Sequence, residues 1–319
     1  MAFSTADVQT TSPLNNVTLK VMNNQSDFIG HELLPFLNVE KATGKIYIYS
    51  KSNMAIEDDS KGRHGVSKEI DRELESVSYA TSPKGLRMRV FDRDVEMSDA
   101  PVRNHVADAT AEIAEKLRVS YEAKVYTKVT TAANYDSGHS VTLTNEWDDY
   151  TNGDPIGDVR TGRIKVKGVV GHWPNYMAMS STDFESLRNH PDIVERYVYS
   201  GGMAASMDSK MVARVLGLED IFVANATKNT STEGQASSLS DVWGESAVLF
   251  YRNPTLGKKT SDFGRTLVWK GLNTRTYRDD ESRSQWVDTD WDYALQWMSI
   301  DNTTDKDTVA GYLIANVRS

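Results

Sequence analysis

The stretch from Ser98 to Tyr135, SDAPVRNHVADATAEIAEKLRVSYEAKVYTKVTTAANY, reads as one long helix far from either end of the chain. Ser98 or Asp99 is placed to act as N-cap, and Pro101 falls in the first turn, where a missing N–H costs nothing. Val102, Val106, Ala109, Ile113, Leu117, Tyr121, Val125 and Val129 recur in steps of three or four, which lays them along one face. Arg103, Asp108, Glu112, Glu115, Lys116, Glu122 and Lys124 are assigned to the opposite face. Glu112 stands four residues before Lys116, the favourable order for an ion pair. At 1.5 Å per residue the element spans roughly 50 Å. One narrow stripe on so long a helix predicts a beam that packs against a sheet on one side only. The middle of the stripe, Ile113 and Leu117, is expected to rest on the strands that carry Trp291, Tyr293, Leu295 and Trp297.

The 319 residues around this helix suffice for about two domain-sized cores. A charged fraction of 25% with 39% hydrophobic residues is that of a globular chain. No run of about 18 apolar residues is present, and MAFSTADVQTTSPLNN lacks the basic start and apolar core of a secretory signal, so folding in the cytoplasm is expected. Without cysteine there are no disulfides, thiolate metal sites or thiol nucleophiles. A net charge of −9 argues against a general nucleic-acid-binding surface.

Before the helix, residues 1–41 are polar with isolated apolar anchors at Val17, Leu19, Val21, Phe28, Ile29, Leu33, Leu34, Phe36 and Leu37. Such an arm orders when it lies on something. Lys45 to Ser50 is rich in β-branched and aromatic residues, Lys51 to Asp71 is polar and charged, and residues 74–80 and 86–95 alternate like strands, with Leu86, Met88, Val90 and Asp92 on one face. Together they predict a long hairpin whose tip has no core of its own.

After the helix, Asn145 to Asp158 is a run of turn formers, and Asp154-Pro155 opens a second helix ending near Gly168, weakened by Gly157 and Gly162. A strand at Tyr176–Met179, a cap at Ser181 or Thr182, a short helix through Phe184 and Leu187, a helix over 207–217 and a strand over 220–225 suggest an α/β unit. Ala247 to Tyr251 is its most continuous apolar strand. From Leu267 strands return, over 284–300 and 310–315, crowded with Trp286, Trp291, Tyr293, Trp297 and Tyr312. That density suits a core or an interface.

No residue is assigned a catalytic, cofactor-binding or metal-binding role. His31-Glu32-Leu33-Leu34-Pro35 begins like a zinc-protease helix but lacks the second histidine, and Pro35 would break the helix. Histidines 31, 64, 105, 139, 172 and 190 show no pair at metal spacing. Asp148, Asp149, Asp154 and Asp158 do not follow a calcium-loop spacing. Gly257-Lys258-Lys259-Thr260 ends like a phosphate loop, but Arg252 stands in place of its first glycine.

The order of parts and six local segments carry a resemblance. Asp154 to Asp158, Pro174-Asn175-Tyr176, Leu187 to Ile193, Leu216 to Val223, Asp241 to Leu249 and Phe263 to Trp269, in that order, resemble the major capsid proteins of tailed bacteriophages with the Hong Kong 97 fold. The likeness runs from about residue 20 to the end and departs at Thr161-Gly162-Arg163, where a better helix former is expected.

The resemblance implies an α+β fold with an N-terminal arm (1–41) that runs along neighbouring subunits, an extended loop hairpin (42–96) that reaches over an adjacent subunit, and a peripheral domain (97–168) with spine helix 98–135. It further implies an α/β axial domain (169–269) and returning peripheral-domain strands (270–319). By the same resemblance the protein is a non-enzymatic shell subunit, assembling through hexamers and pentamers into an icosahedral head around double-stranded DNA. Its partners would be copies of itself, a separate scaffold, a portal and a decoration protein, and its place the virion, after assembly in the bacterial cytoplasm. An encapsulin-like nanocompartment shell is the alternative within the fold. A metal-dependent hydrolase using Asp92, Asp94, Asp99 or the Asp148–Asp158 loop is the alternative of another class.

Overall fold

The structure is a computed structural model that describes residues 25–49, 53, 55–61, 63–71, 73–97, 105–199, 207–231, 238–254, 262–298 and 309–319. The long helix runs from His105 to Thr130. The expected caps Ser98 and Asp99, with Val102 and Arg103, lie outside the described residues. The helix stops five residues short of Tyr135 because its last carbonyls are taken by side chains. Tyr135 Oη donates to Val129 O at 2.6 Å and Asn134 Nδ2 to Lys128 O at 2.8 Å, while Thr131 turns to extended backbone. The apolar face is as expected, with Ala109, Ile113, Leu117, Tyr121, Val125 and Val129 buried. Glu112 and Lys116 pair at 2.8 Å.

Two sheets flank this helix. The first has strand order β1-β11-β12-β4, where β1 is Phe36–Asn38, β4 Ser82–Phe91, β11 Gly264–Asp279 and β12 Ser284–Trp297. β4 begins four residues earlier than the predicted strand, and Asp92 starts a short helix, Asp92–Met97, instead of ending the strand. The helix crosses this sheet in two contacts. Ile113 and Leu117 pack on Val90 and Val287, not on the aromatic strand end; that end, with Trp291, Tyr293, Leu295 and Trp297, receives Tyr121, Val125 and Val129. The contact with the aromatic strand end therefore begins one turn beyond Leu117.

The second sheet has order β5-β13-β10-β6-β7, with β5 Ser140–Thr142, β6 Tyr176–Ser180, β7 Asp220–Ala224, β10 Ser246–Phe250 and β13 Gly311–Ala315. β10 lies antiparallel to both β13 and β6, and its side chains alternate between two cores. Ala247 and Leu249 face the helix Pro155–Val170, whereas Val248 and Phe250 face the long helix and the first sheet. Burial on both faces explains why the strand reads as an unbroken apolar run. The resemblance assigns β13 to the late peripheral strands, but it pairs with β10 and β5.

Boundaries shift where caps decide them. The helix at Pro155 is capped by Asp154 and runs past Gly168 to Val170. Gly162, the departure noted in the sequence, is needed for close approach, because a Cβ there would stand 2.6 Å from both Leu249 and Tyr312. Ser180, not Ser181 or Thr182, caps the helix Ser181–Asn189, and an unexpected helix, Pro191–Tyr199, follows His190. The next helix is Ser209–Leu216, capped by Asp208.

The N-terminal segment corrects its expectation most. Phe28, Ile29, Leu33 and Leu34 are buried in the chain's own core, around a single turn Gly30–Leu33 that ends before Pro35. β1 then runs parallel to β11, Phe36 opposite Thr266 and Asn38 opposite Val268. Residues 28–38 therefore form a strap on the subunit itself. The anchors Val17, Leu19 and Val21 lie outside the described residues.

Candidate interaction surfaces

The polar residues singled out in the sequence are dispersed, and most of the carboxylates are already engaged, whereas the His139 ring is buried with neither nitrogen hydrogen-bonded. Asp92 holds Arg278 through two hydrogen bonds of 2.8 and 2.6 Å. Asp149 and Asp154 accept backbone N–H groups of their own turns, from Thr151 and Gly157. Asp158 accepts from the Trp147 indole at 2.9 Å, and burial pushes its carboxyl up. Asp148 accepts from Ser319. Asp99 and Gly257 to Thr260 lie outside the described residues. His31 is exposed beside Glu32, His172 stacks on Tyr251 and His190 is buried with Nδ1 accepting the Asp192 N–H. Among the described residues no three His, Cys, Asp or Glu side chains gather to hold a metal ion, and no helix is long and apolar enough to cross a membrane.

Three buried polar links escaped the sequence reading. Arg265 and Asp262 pair at 2.6 Å in the core, with Asp262 also accepting the Asn253 N–H. Arg318 ties the C-terminal stretch to Asp183 at 3.2 Å. Burial pushes both carboxyls up, against the opposing pull of their partners. Glu122, assigned to the polar face of the long helix, is fully buried instead. Steps of four residues drift by about 40° per step against a 3.6-residue turn. By the second half of the helix the buried stripe has therefore moved onto the position three before Val125 and seven before Val129. Following that drift would have found Glu122.

What the described surface offers is shape. β2 (Thr43–Tyr49) and β3 (Leu74–Ala80) form an antiparallel ribbon, with Ile46 opposite Val77. Its base packs through Ile46, Ile48 and Val77 on Leu267 and Met298. Beyond it, every described residue from 53 to 73 is exposed, including Ile56 at 101%, Val66 at 95% and Ile70 at 71%. Apolar side chains this open bury nothing within the chain.

A second surface lies along β11. β1 covers that strand only as far as Val268, and residues 269–278 are exposed, leaving a long open edge. Its pairing with β12 shifts register between Val268 and Asn273, beside a groove of about 340 Å³. Phe36, Leu117, Tyr121, Leu272 and Trp291 line the groove together with Arg118 and His31. A third surface is the end of the Pro191–Tyr199 helix, where Val198 and Tyr199 are 50% and 83% exposed.

No family profile matches the chain. The major capsid protein of Burkholderia phage BcepMu is 23% identical over 240 residues, which cover 75% of this chain and 75% of that protein. Among solved structures, a phage-related protein from Bordetella bronchiseptica RB50 superposes with a TM-score of 0.68 at 24% identity, over 96% of this chain and 97% of that one. The capsid structure of Cyanophage P-SCSP1u gives a TM-score of 0.56 at 10% identity, over 90% and 87%.

Proposed function

We infer that this chain, which has the Hong Kong 97-type capsid fold, is the major capsid protein of a tailed phage, a structural subunit that builds an icosahedral head. The observation that carries this reading is the ribbon of β2 and β3, whose tip leaves Ile56, Val66 and Ile70 bare. A segment with no core of its own is ordered by a neighbour, and the open edge of β11 with its apolar groove lies on the same subunit to receive one.

In this reading residues 42–96 form the loop that overlies an adjacent subunit, and the long helix with the first sheet forms the peripheral domain. The second sheet with its helices is the axial domain, and Val198 and Tyr199 face other copies at a capsomer axis. The protein is not an enzyme. It assembles in the host cytoplasm with a scaffold and a portal, resides in the virion, and contains double-stranded DNA by enclosure. A net charge of −9 supports containment without phosphate binding.

Electron microscopy of protein from a phage-producing lysate, after nuclease treatment, tests this. Closed icosahedral shells holding protected double-stranded DNA are expected. Shells filled with a protein cargo would establish the nanocompartment alternative, and a chain that forms no shells, alone or from lysate, overturns the reading.

A further inference from the structure

The sign of charge reverses at the helix Pro155–Val170. From Val129 to Val159 the chain carries six acids and neither Lys nor Arg; from Val159 to Thr182 it carries Arg160, Arg163, Lys165 and Lys167 and neither Asp nor Glu. The fold keeps the two runs apart. Glu146, Asp148, Asp149 and Asp154 belong to the turns ahead of the helix, while Arg160, Ile164 and Lys167 recur at helical spacing on its solvent side. From Asp154 to Lys167 is about 20 Å along the axis, beyond the screening length of physiological salt, so that end of the helix is not neutralised by the turn. Among the described residues no ion pair joins any of the four cations to a carboxylate, or any of the four turn carboxylates to a cation.

Each pole also carries exposed apolar surface. Tyr150 in the acidic turn is 47% exposed, and beside the basic face Trp173 is 47% and Ile164 54% exposed. Arg163 and Lys167 lie over the Trp173 ring, 5.2 and 4.3 Å from its centroid, and Arg163 is fixed there by donating to Leu216 O at 3.0 Å. An open aromatic ring framed by cations suits the centre of an interface.

We propose that the acidic turn of one copy docks on the basic face of the next, with Tyr150 against Ile164 and Trp173, and Asp149 and Asp154 towards Arg160 and Lys167. Because the two patches differ, the contact is head-to-tail. Each copy gives its turn to one neighbour and receives the turn of another, and the series closes into a ring where the rotation permits. A second copy is favoured over nucleic acid because the chain itself supplies the matching pole, with an aromatic side chain in it, and its net charge of −9 repels phosphate. Taken as the ring of a capsomer, the inference rests on the function proposed above.

Sedimentation velocity of the full chain and of two variants is the test. Asp148→Asn, Asp149→Asn and Asp154→Asn together remove the acidic charge but keep acceptors for Ser319, Thr151 and Gly157. Arg160→Gln, Lys165→Gln and Lys167→Gln together clear the basic face. Wild-type oligomers should dissociate at least about tenfold more readily in roughly 500 mM than in roughly 50 mM salt. Each variant alone should stay monomeric, and an equimolar mixture should form heterodimers and stop there, since only one matched contact remains. A wild type that is monomeric at low salt, oligomers indifferent to salt, variants that associate as the wild type does, or a mixture that stays monomeric would each overturn the contact. Loss of duplex DNA binding in the basic-face variant, with no heterodimer in the mixture, would assign that face to phosphate instead. Should the asparagine variant fail to fold, the salt series and the basic-face variant still decide. Shells formed normally by the basic-face variant would overturn the contact and leave the capsid reading; salt-sensitive rings that never yield shells would support the contact and overturn that reading.

Discussion

The strap at residues 28–38 and the hairpin tip at residues 53–73 look alike in sequence and end differently in the fold. Both interleave apolar side chains with polar ones, and both are expected from the sequence and the resemblance to order against a neighbour. In the strap, Phe28 and Ile29 are adjacent, as are Leu33 and Leu34, and one helical turn brings both pairs over the long helix and β11. In the tip, Ile56, Val66 and Ile70 are separated by charged and polar residues, and no turn of chain brings two of them to one contact. Clustered anchors can repay the entropy of ordering a short segment within the subunit; isolated ones need a surface prepared elsewhere.

This contrast can be broken most directly at Leu34. Leu34→Asp puts a charge into a fully buried site, at a cost of several kcal/mol unless the site opens, and should leave no cooperative unfolding transition by circular dichroism. Ile56→Asp should leave that transition in place. A folded Leu34→Asp subunit would return the strap to the class of arms that need a neighbour.

A smaller effect is expected where the strap meets β11. Thr266→Val removes the hydroxyl shared by Leu34 O and Tyr121 Oη, and should lower stability in denaturant titration by about 1–3 kcal/mol. No loss would mean that apolar burial alone holds the strap.

On the hairpin side, replacing Ile56, Val66 and Ile70 together by serine should change subunit stability by less than about 0.5 kcal/mol. The same variant should assemble poorly by light scattering, because the proposed function places those exposed side chains against another copy. Hydrogen exchange over 55–71 should be fast in free subunits and slow in shells. Equal protection in both states would remove the difference between tip and strap. Least of all, Glu112→Gln breaks the exposed pair with Lys116 and should cost a few tenths of a kcal/mol with assembly unchanged.

The sequence by itself determined elements whose signal is local. Periodicity marked the buried face of the long helix, alternation marked Leu74–Ala80 at both ends, and Asp154-Pro155 marked a helix start. Each is settled by residues a few positions apart, so neighbours in the chain suffice to decide it.

Only the tertiary structure decided which surfaces meet. It gave Ile113 and Leu117 the partners Val90 and Val287, placed β13 between β10 and β5, and buried Glu122 against N–H groups some 90 residues earlier and a tryptophan 121 residues later. It also made Gly162 the tolerable residue in a helix, because Leu249 and Tyr312 press against it. Contacts across such separations depend on the relative placement of whole elements, and a one-turn slide of the helix would satisfy the same periodicity while changing every partner. A pattern along one element states which face is buried; what it is buried against is set by packing that the pattern does not contain.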